Sequence, residues 1–311
     1  MINLYQNKPE ELGKASKPQI LSPPVLSGMI LAAACIAGSL VYAMDWPVQA
    51  GNLINNFGWN DTGSPVLGAT FEAEGPVRAA DSGELIFVQY GFHTAARLPA
   101  PLGAWVALDH GEGLISIYCR FDAEEPIPIP NFVEKDTPLG MAGRSGWSER
   151  QGFHFSLFDR KERRWVNPSM IISPLPDARA PVIQSVLLRN AEKRVIDPNQ
   201  VRSIGQGRYT ISVTAADTRI GPNENPLAPY RITCIVNGSE IGTLNFETYS
   251  ARDGVLMVYR NGLVPVNQVY APVPGFEVGE VWFNRGQATL EIIAQDINGN
   301  AQSAQYRLLV D

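Results

Sequence analysis

Three histidines, His93, His110 and His154, are the only imidazoles in this 311-residue chain, and no two of them stand at a spacing that would bring both rings onto one metal ion. His154 lies in Gly152-Phe-His-Phe-Ser156, where residues 154 and 156, two apart in an extended segment, share one face. His110 opens the turn-like run His110-Gly-Glu-Gly113 and reads as structural, and His93 follows Gly91-Phe92 in a strand or loop. The carboxylates Glu72, Glu74 and Asp81 are the other metal donors upstream, but carboxylates without imidazole or thiolate suit hard ions better than zinc. Arg120, in Tyr118-Cys-Arg120, carries a permanent charge that repels a divalent cation and can grip a carboxylate bidentately. A salt bridge to Glu72 or Asp122 is its alternative use. Near the C-terminus, Asp296, Asn298 and Gly299 offer oxygen ligands for calcium or, as the preferred reading, simple turn chemistry. The three cysteines, Cys35, Cys119 and Cys234, are too scattered for a disulfide framework or a zinc knuckle and read as buried or free thiols.

The elements that would position these residues are strands. Ala104-Trp-Val-Ala-Leu108 and Leu114-Ile-Ser-Ile-Tyr118 flank the His110 turn as a hairpin, and Val77 to Gln89 reads as a turn followed by a strand. Ser173-Pro-Leu-Pro-Asp-Ala-Arg-Ala-Pro181, with three prolines, interrupts any regular pattern and is expected to be a linker. Beyond it, Ile183–Leu188, Tyr209–Val213, Tyr230–Val236, Ala288–Ala294 and Ala304–Val310 alternate or cluster β-branched residues, the pattern of an immunoglobulin-like β-sandwich.

Composition agrees with a mainly β protein of two domains: 45% apolar and 18% charged residues, with 28 glycines and 24 prolines. The net charge of −6, without basic clusters, excludes nucleic acid as a partner. Residues 25–44 carry no charge, and roughly 20 helical residues span the hydrocarbon core of a bilayer. Lys8, Lys14 and Lys17 precede that run, and no basic residue follows it before Arg78, so residues 1–24 are expected to be a cytoplasmic leader and the body to lie outside. The run serves as a transmembrane anchor or as a cleaved signal ending near Val41-Tyr-Ala43.

Between about Asn55 and Ile172 a series of motifs recurs in order: Phe57-Gly-Trp59, Pro76-Val77-x-Ala79-Ala80-Asp81-x-Gly83, His110-Gly111-x-Gly113, Pro138-Leu139-Gly140-x-x-Gly143-x-Ser145-Gly146, Gly152-x-His154 and Val166-Asn-Pro168. Together they resemble the LytM-type (M23) zinc peptidoglycan endopeptidases. The resemblance implies an antiparallel β domain over 52–173, and the strand pattern beyond the linker places the sandwich over 182–311. It also implies a site with zinc ligands from His-x-x-x-Asp and from the second His of His-x-His, and catalytic histidines from Tyr-x-His and the first His of His-x-His. Here the ligand positions fall on Val66, Thr70 and Ser156, the Tyr-x-His histidine falls on Arg120, and His154 alone is retained, as a catalytic rather than a ligand position.

The reading that follows is a catalytically inactive envelope protein, without zinc or other cofactor. Its groove, built around Tyr118, Arg120, His154 and Ser156, is expected to bind peptidoglycan or an envelope protein partner. The alternatives are an active zinc endopeptidase with a rearranged site, using Glu72, Glu74 or Asp81 with His154, and a structural subunit of an envelope assembly. The expected location is extracytoplasmic, in the periplasm, with the membrane engaged through residues 25–44.

Overall fold

The computed structural model describes residues 44–48, 52–61, 63–90, 100–124, 126–148, 150–218, 225–270 and 275–311, all of them within one compact unit. The leader, the apolar run up to residue 43, Cys35 and His93 lie outside the described residues. No helix among the described residues is long and apolar enough to cross a membrane.

The N-terminal half is built on strands β1 (Ala69–Glu72), β2 (Ala104–Asp109), β3 (Leu114–Phe121), β4 (Phe153–Asp159) and β5 (Arg164–Val166). The expected hairpin forms: β2 and β3 pair antiparallel, and the turn closes through His110 N to Leu114 O at 2.9 Å. β4 sits between β1 and β3, antiparallel to both. Apolar residues on these strands point to one interior, where Val106, Leu108, Tyr118, Phe121, Phe153, Phe155 and Leu157 are fully buried with Val77 and Leu139. Each such side chain contributes about 1.5–3 kcal/mol by leaving water.

The C-terminal half comprises β6 (Val182–Asn190), β7 (Gly207–Thr218), β8 (Arg231–Val236), β9 (Ser239–Arg252), β10 (Phe276–Phe283), β11 (Gly286–Gln295) and β12 (Ala301–Val310). One sheet runs β6-β7-β10 and the other β9-β8-β11-β12. Strict alternation along β8 turns Ile232, Cys234 and Val236 inward, where they meet Val186, Leu188, Ile211 and Val213 from the facing sheet in one cluster. The fold is therefore almost wholly β, a domain of antiparallel strands followed by a β-sandwich. Cys119 and Cys234 are buried free thiols within it, with burial pushing both up to about 12.

The two halves share more than the proline-rich segment. β5 pairs with β9 through Arg164–Ser250, Trp165–Tyr249 and Val166–Thr248, so one sheet continues from the first half into the sandwich. Asn167 extends that seam, with its N–H donating to Glu247 O and its amide to Phe246 O, both at 2.9 Å. Phe57 buries its ring in the sandwich cluster, 5.1 Å from Tyr249 centroid to centroid, and Tyr270 donates its hydroxyl proton to Gly58 O at 2.7 Å.

Candidate functional site

β4 carries His154 and Ser156 on one face, and its neighbour β1 places Thr70 directly opposite His154. Thr70 Oγ1 lies 2.9 Å from His154 Nδ1, and Ser156 Oγ lies 2.9 Å from His154 Nε2. Both hydroxyls are nearly sealed, Thr70 at 4% and Ser156 at 5% exposure. The ring is thus held between two neutral hydroxyls, donating to one and accepting from the other. Burial first, and the charge of Arg120 second, drive the His154 pKa down to about 3, so the imidazole is neutral at physiological pH.

Gly68 closes over this chain. A Cβ there would stand 2.2 Å from Phe155 O, 2.5 Å from Ser156 Oγ and 2.8 Å from His154 Nε2, so only glycine allows the backbone this close to the histidine.

Arg120 reaches the same region from β3 by a bulge. Ala104 pairs with Phe121 and Trp105 with Cys119, which leaves Arg120 unmatched on the longer side of the ladder. Its φ of +71° is a left-handed conformation that costs a residue with a Cβ about 1–2 kcal/mol. The backbone is fixed there by Arg120 N to Leu102 O and Gly143 N to Arg120 O, each at 3.0 Å. The segments at 100–103 and 142–148 that make these bonds also form a rim, tied by Ala104 N to Ser145 Oγ at 2.9 Å and Trp147 N to Pro101 O at 3.1 Å. On it Leu102 is 40% and Trp147 74% exposed. This rim was not anticipated from sequence, although an isolated tryptophan in the polar run Ser145-Gly-Trp-Ser148 was its visible signal.

The structure gathers Thr70, His154 and Ser156, with Arg120 close enough to bear on the histidine. Val66 instead holds the backbone of the Phe57-Gly-Trp59 turn, bonding Gly58 N and Trp59 O. Tyr118, expected in the groove, is fully buried: its ring packs on Phe155, and its oxygen accepts from Ala80 N at 2.9 Å and shares a hydrogen bond with Ser116. Its strand position points it to the core side, opposite to the groove. His110 completes this second network, with Nδ1 donating to Ser82 O at 2.8 Å and Nε2 2.6 Å from Ser116 Oγ. Among the described residues, Glu72, Glu74 and Asp81 form no three-donor cluster with His154. The donor set at 66, 70 and 156 does not fit zinc: valine has no donor atom, the two hydroxyls are neutral and weak ligands, and they occupy both nitrogens of the one imidazole nearby.

A family model described as Peptidase family M23 matches residues 64–168, and a second family model matches residues 180–311. A comparison with curated proteins returns no match. Among solved structures, an M23 peptidase structure from Pseudomonas aeruginosa is 22% identical over 43% of this chain and 52% of its own, with a TM-score of 0.32. This chain therefore spans about half of that protein's length. The catalytic domain of a mutant of the prophage-encoded M23 protein EnpA from Enterococcus faecalis is 20% identical over 38% of this chain and 87% of its own, with a TM-score of 0.32. The SpoIIQ–SpoIIIAH pore forming complex contributes a chain 18% identical over 42% of this one and 91% of its own, with a TM-score of 0.34. The family model thus supports, over residues 64–168, the M23-like domain that the order of the motifs implied.

Proposed function

We propose that this M23 domain binds its ligand without hydrolysing it, holds no zinc, and serves as a docking or scaffold module of the cell envelope. The observation that supports this reading is the Thr70–His154–Ser156 chain, which satisfies both ring nitrogens with hydroxyls standing where the resemblance places zinc ligands. A neutral imidazole with no free nitrogen is not positioned to take a proton from water. What the groove does offer is the exposed faces of Leu102 and Trp147 on its rim, with the permanent charge of Arg120 on the strand beside it, a surface suited to an elongated, partly apolar ligand that carries negative charge. Peptidoglycan stem peptides have that chemistry, with an acidic segment of an envelope protein as the second candidate. The charge asymmetry around residues 25–44 supports placing this surface outside the cytoplasmic membrane.

The deciding experiment combines metal analysis of the purified chain with capture of peptidoglycan fragments by wild type and Arg120→Ala. Expected are no stoichiometric zinc, no cleavage, and capture about tenfold weaker in the variant. Zinc near one per chain, with cleavage that His154→Ala abolishes, would establish the rearranged peptidase instead. Equal capture by wild type and variant would mean the groove is vestigial.

A further inference from the structure

We propose that one end of the β-sandwich carries a binding site for a neutral oligosaccharide, with Trp282 as its stacking plate. A cavity of about 510 Å³ opens there between the turn at 190–194, the loop at 203–207 and the end of β10. Small-molecule sites ordinarily occupy about 300–1,000 Å³, so the volume suits a short oligomer.

Strand register turns the tryptophan outward. Trp282 stands opposite Arg208 on β7, whereas its neighbours Val281 and Phe283 stand opposite Tyr209 and Gly207. Tyr209 and Phe283 enter the core, 5.7 Å apart between ring centroids, and alternation leaves Trp282 on the solvent side at 57% exposure. Tryptophan is highly buried on average, so a ring left open in the wall of a cavity is available to the flat, C–H-lined face of a pyranose. The loop beside it is fixed by hydrogen bonds. Gln206 N donates to Asp311 O at 3.1 Å, Asp311 N to Ile204 O at 2.9 Å, and the Tyr209 hydroxyl to Gly205 O at 2.8 Å. Arg194 N, donating to Asn190 Oδ1 at 2.9 Å, holds the turn in the same way.

The polar lining selects the ligand. The side chains of Glu192, Arg194, Ser203 and Gln206 make no hydrogen bond or ion pair with other described residues, and so keep both donors and acceptors for a guest. Charge in the wall is balanced: Glu192 and Arg194 share one turn, and Arg208 lies 3.8 Å from Glu280. A carboxylate or phosphate would need an unmatched cation, and a wholly apolar guest would strip these groups of water without replacing it. Hydroxyls that each donate and accept, set on a ring with an apolar face, meet both conditions. Neither Arg120, His154 nor Ser156 lines this cavity, so the site is separate from the groove of the first half.

The test titrates the full-length chain with chitotetraose, cellotetraose and maltotetraose, and with the anionic tetragalacturonic acid, by calorimetry. Expected is one neutral tetrasaccharide per chain with a Kd of about 1 mM or below, little changed by added salt. Trp282→Ala should weaken it by about tenfold or more, while Trp282→Tyr, which keeps an aromatic face, retains most of it. Both variants should unfold at the wild-type temperature, because the ring lies outside the core. Gln206→Ala should weaken binding several-fold, and as a loop substitution it decides if Trp282→Ala fails to fold. No neutral sugar bound at about 10 mM, binding that survives Trp282→Ala or Gln206→Ala unchanged, or binding of tetragalacturonic acid alone would each overturn the proposal.

Discussion

His154 Nε2 and Ser156 Oγ lie 2.9 Å apart on the same face of one strand, and Thr70 Oγ1 meets the other ring nitrogen at the same distance. Side chains two apart on a strand ordinarily converge on something between them; here they converge on each other. The three positions form a polar unit in which both ring nitrogens are satisfied within the protein, which stabilises the neutral ring.

If substitution alone has removed the metal, restoring the donors should restore it. Val66→His, Thr70→Asp and Ser156→His together are expected to bind about one zinc per chain, while wild type binds none, as read by metal analysis after dialysis. A triple variant that folds and still excludes zinc would show that the backbone, Gly68 included, has closed the site.

His154 also sets a pH dependence. Its pKa is near 6.5 when unfolded and about 3 when folded, so the native state binds fewer protons between these values. The stability it contributes is complete above about pH 6.5 and is lost as pH falls toward 3, at no more than about 1.4 kcal/mol per pH unit. The ring resonances of His154 are expected to stay unshifted from about pH 8 to 5 in NMR titrations, and His154→Gln should show a flatter decline of stability in acid. A ring titrating near 6.5 in the folded protein would contradict the buried chain.

Arg120 separates strain from binding. Arg120→Gly and Arg120→Ala both delete the guanidinium, but only alanine retains the penalty of a φ of +71°. The glycine variant is expected to be more stable by about 1 kcal/mol in urea unfolding, with ligand capture equally weakened in both. Equal stability would mean that the bulge relaxes when the side chain is removed.

Gly58 tests the seam between the halves. Its φ is +85°, and a Cβ would stand 2.5 Å from Phe246 Cδ1 in the sandwich core. Gly58→Ala should therefore destabilise by about 2–4 kcal/mol. Because β5 and β9 belong to one sheet, calorimetry should show a single transition lowered as a whole, and proteolysis at Ser173–Pro181 should leave the fragments associated. Two transitions, only one of them shifted, would indicate independent domains.

Local patterns were enough to identify much of this protein. Alternation and turn residues located the His110 hairpin and the sandwich strands β6, β7, β8, β11 and β12, because a strand with one face buried must repeat every second residue. Motif order identified the M23 framework, and a count of histidines showed how few zinc ligands were at hand. β9 passed unread, since polar residues fill its solvent side and its ends, and the pairing that gives it a place comes from β5, over eighty residues earlier. The same limit hid the burial of Tyr118, the use of Val66 in the Phe57-Gly-Trp59 turn, the bulge at Arg120 and the meeting of Asp177, Asp217 and Asp296. Residue type and spacing record what a segment can do by itself, whereas each of these depends on the register between strands distant in sequence, and only the folded sheet fixes which atoms face each other across it.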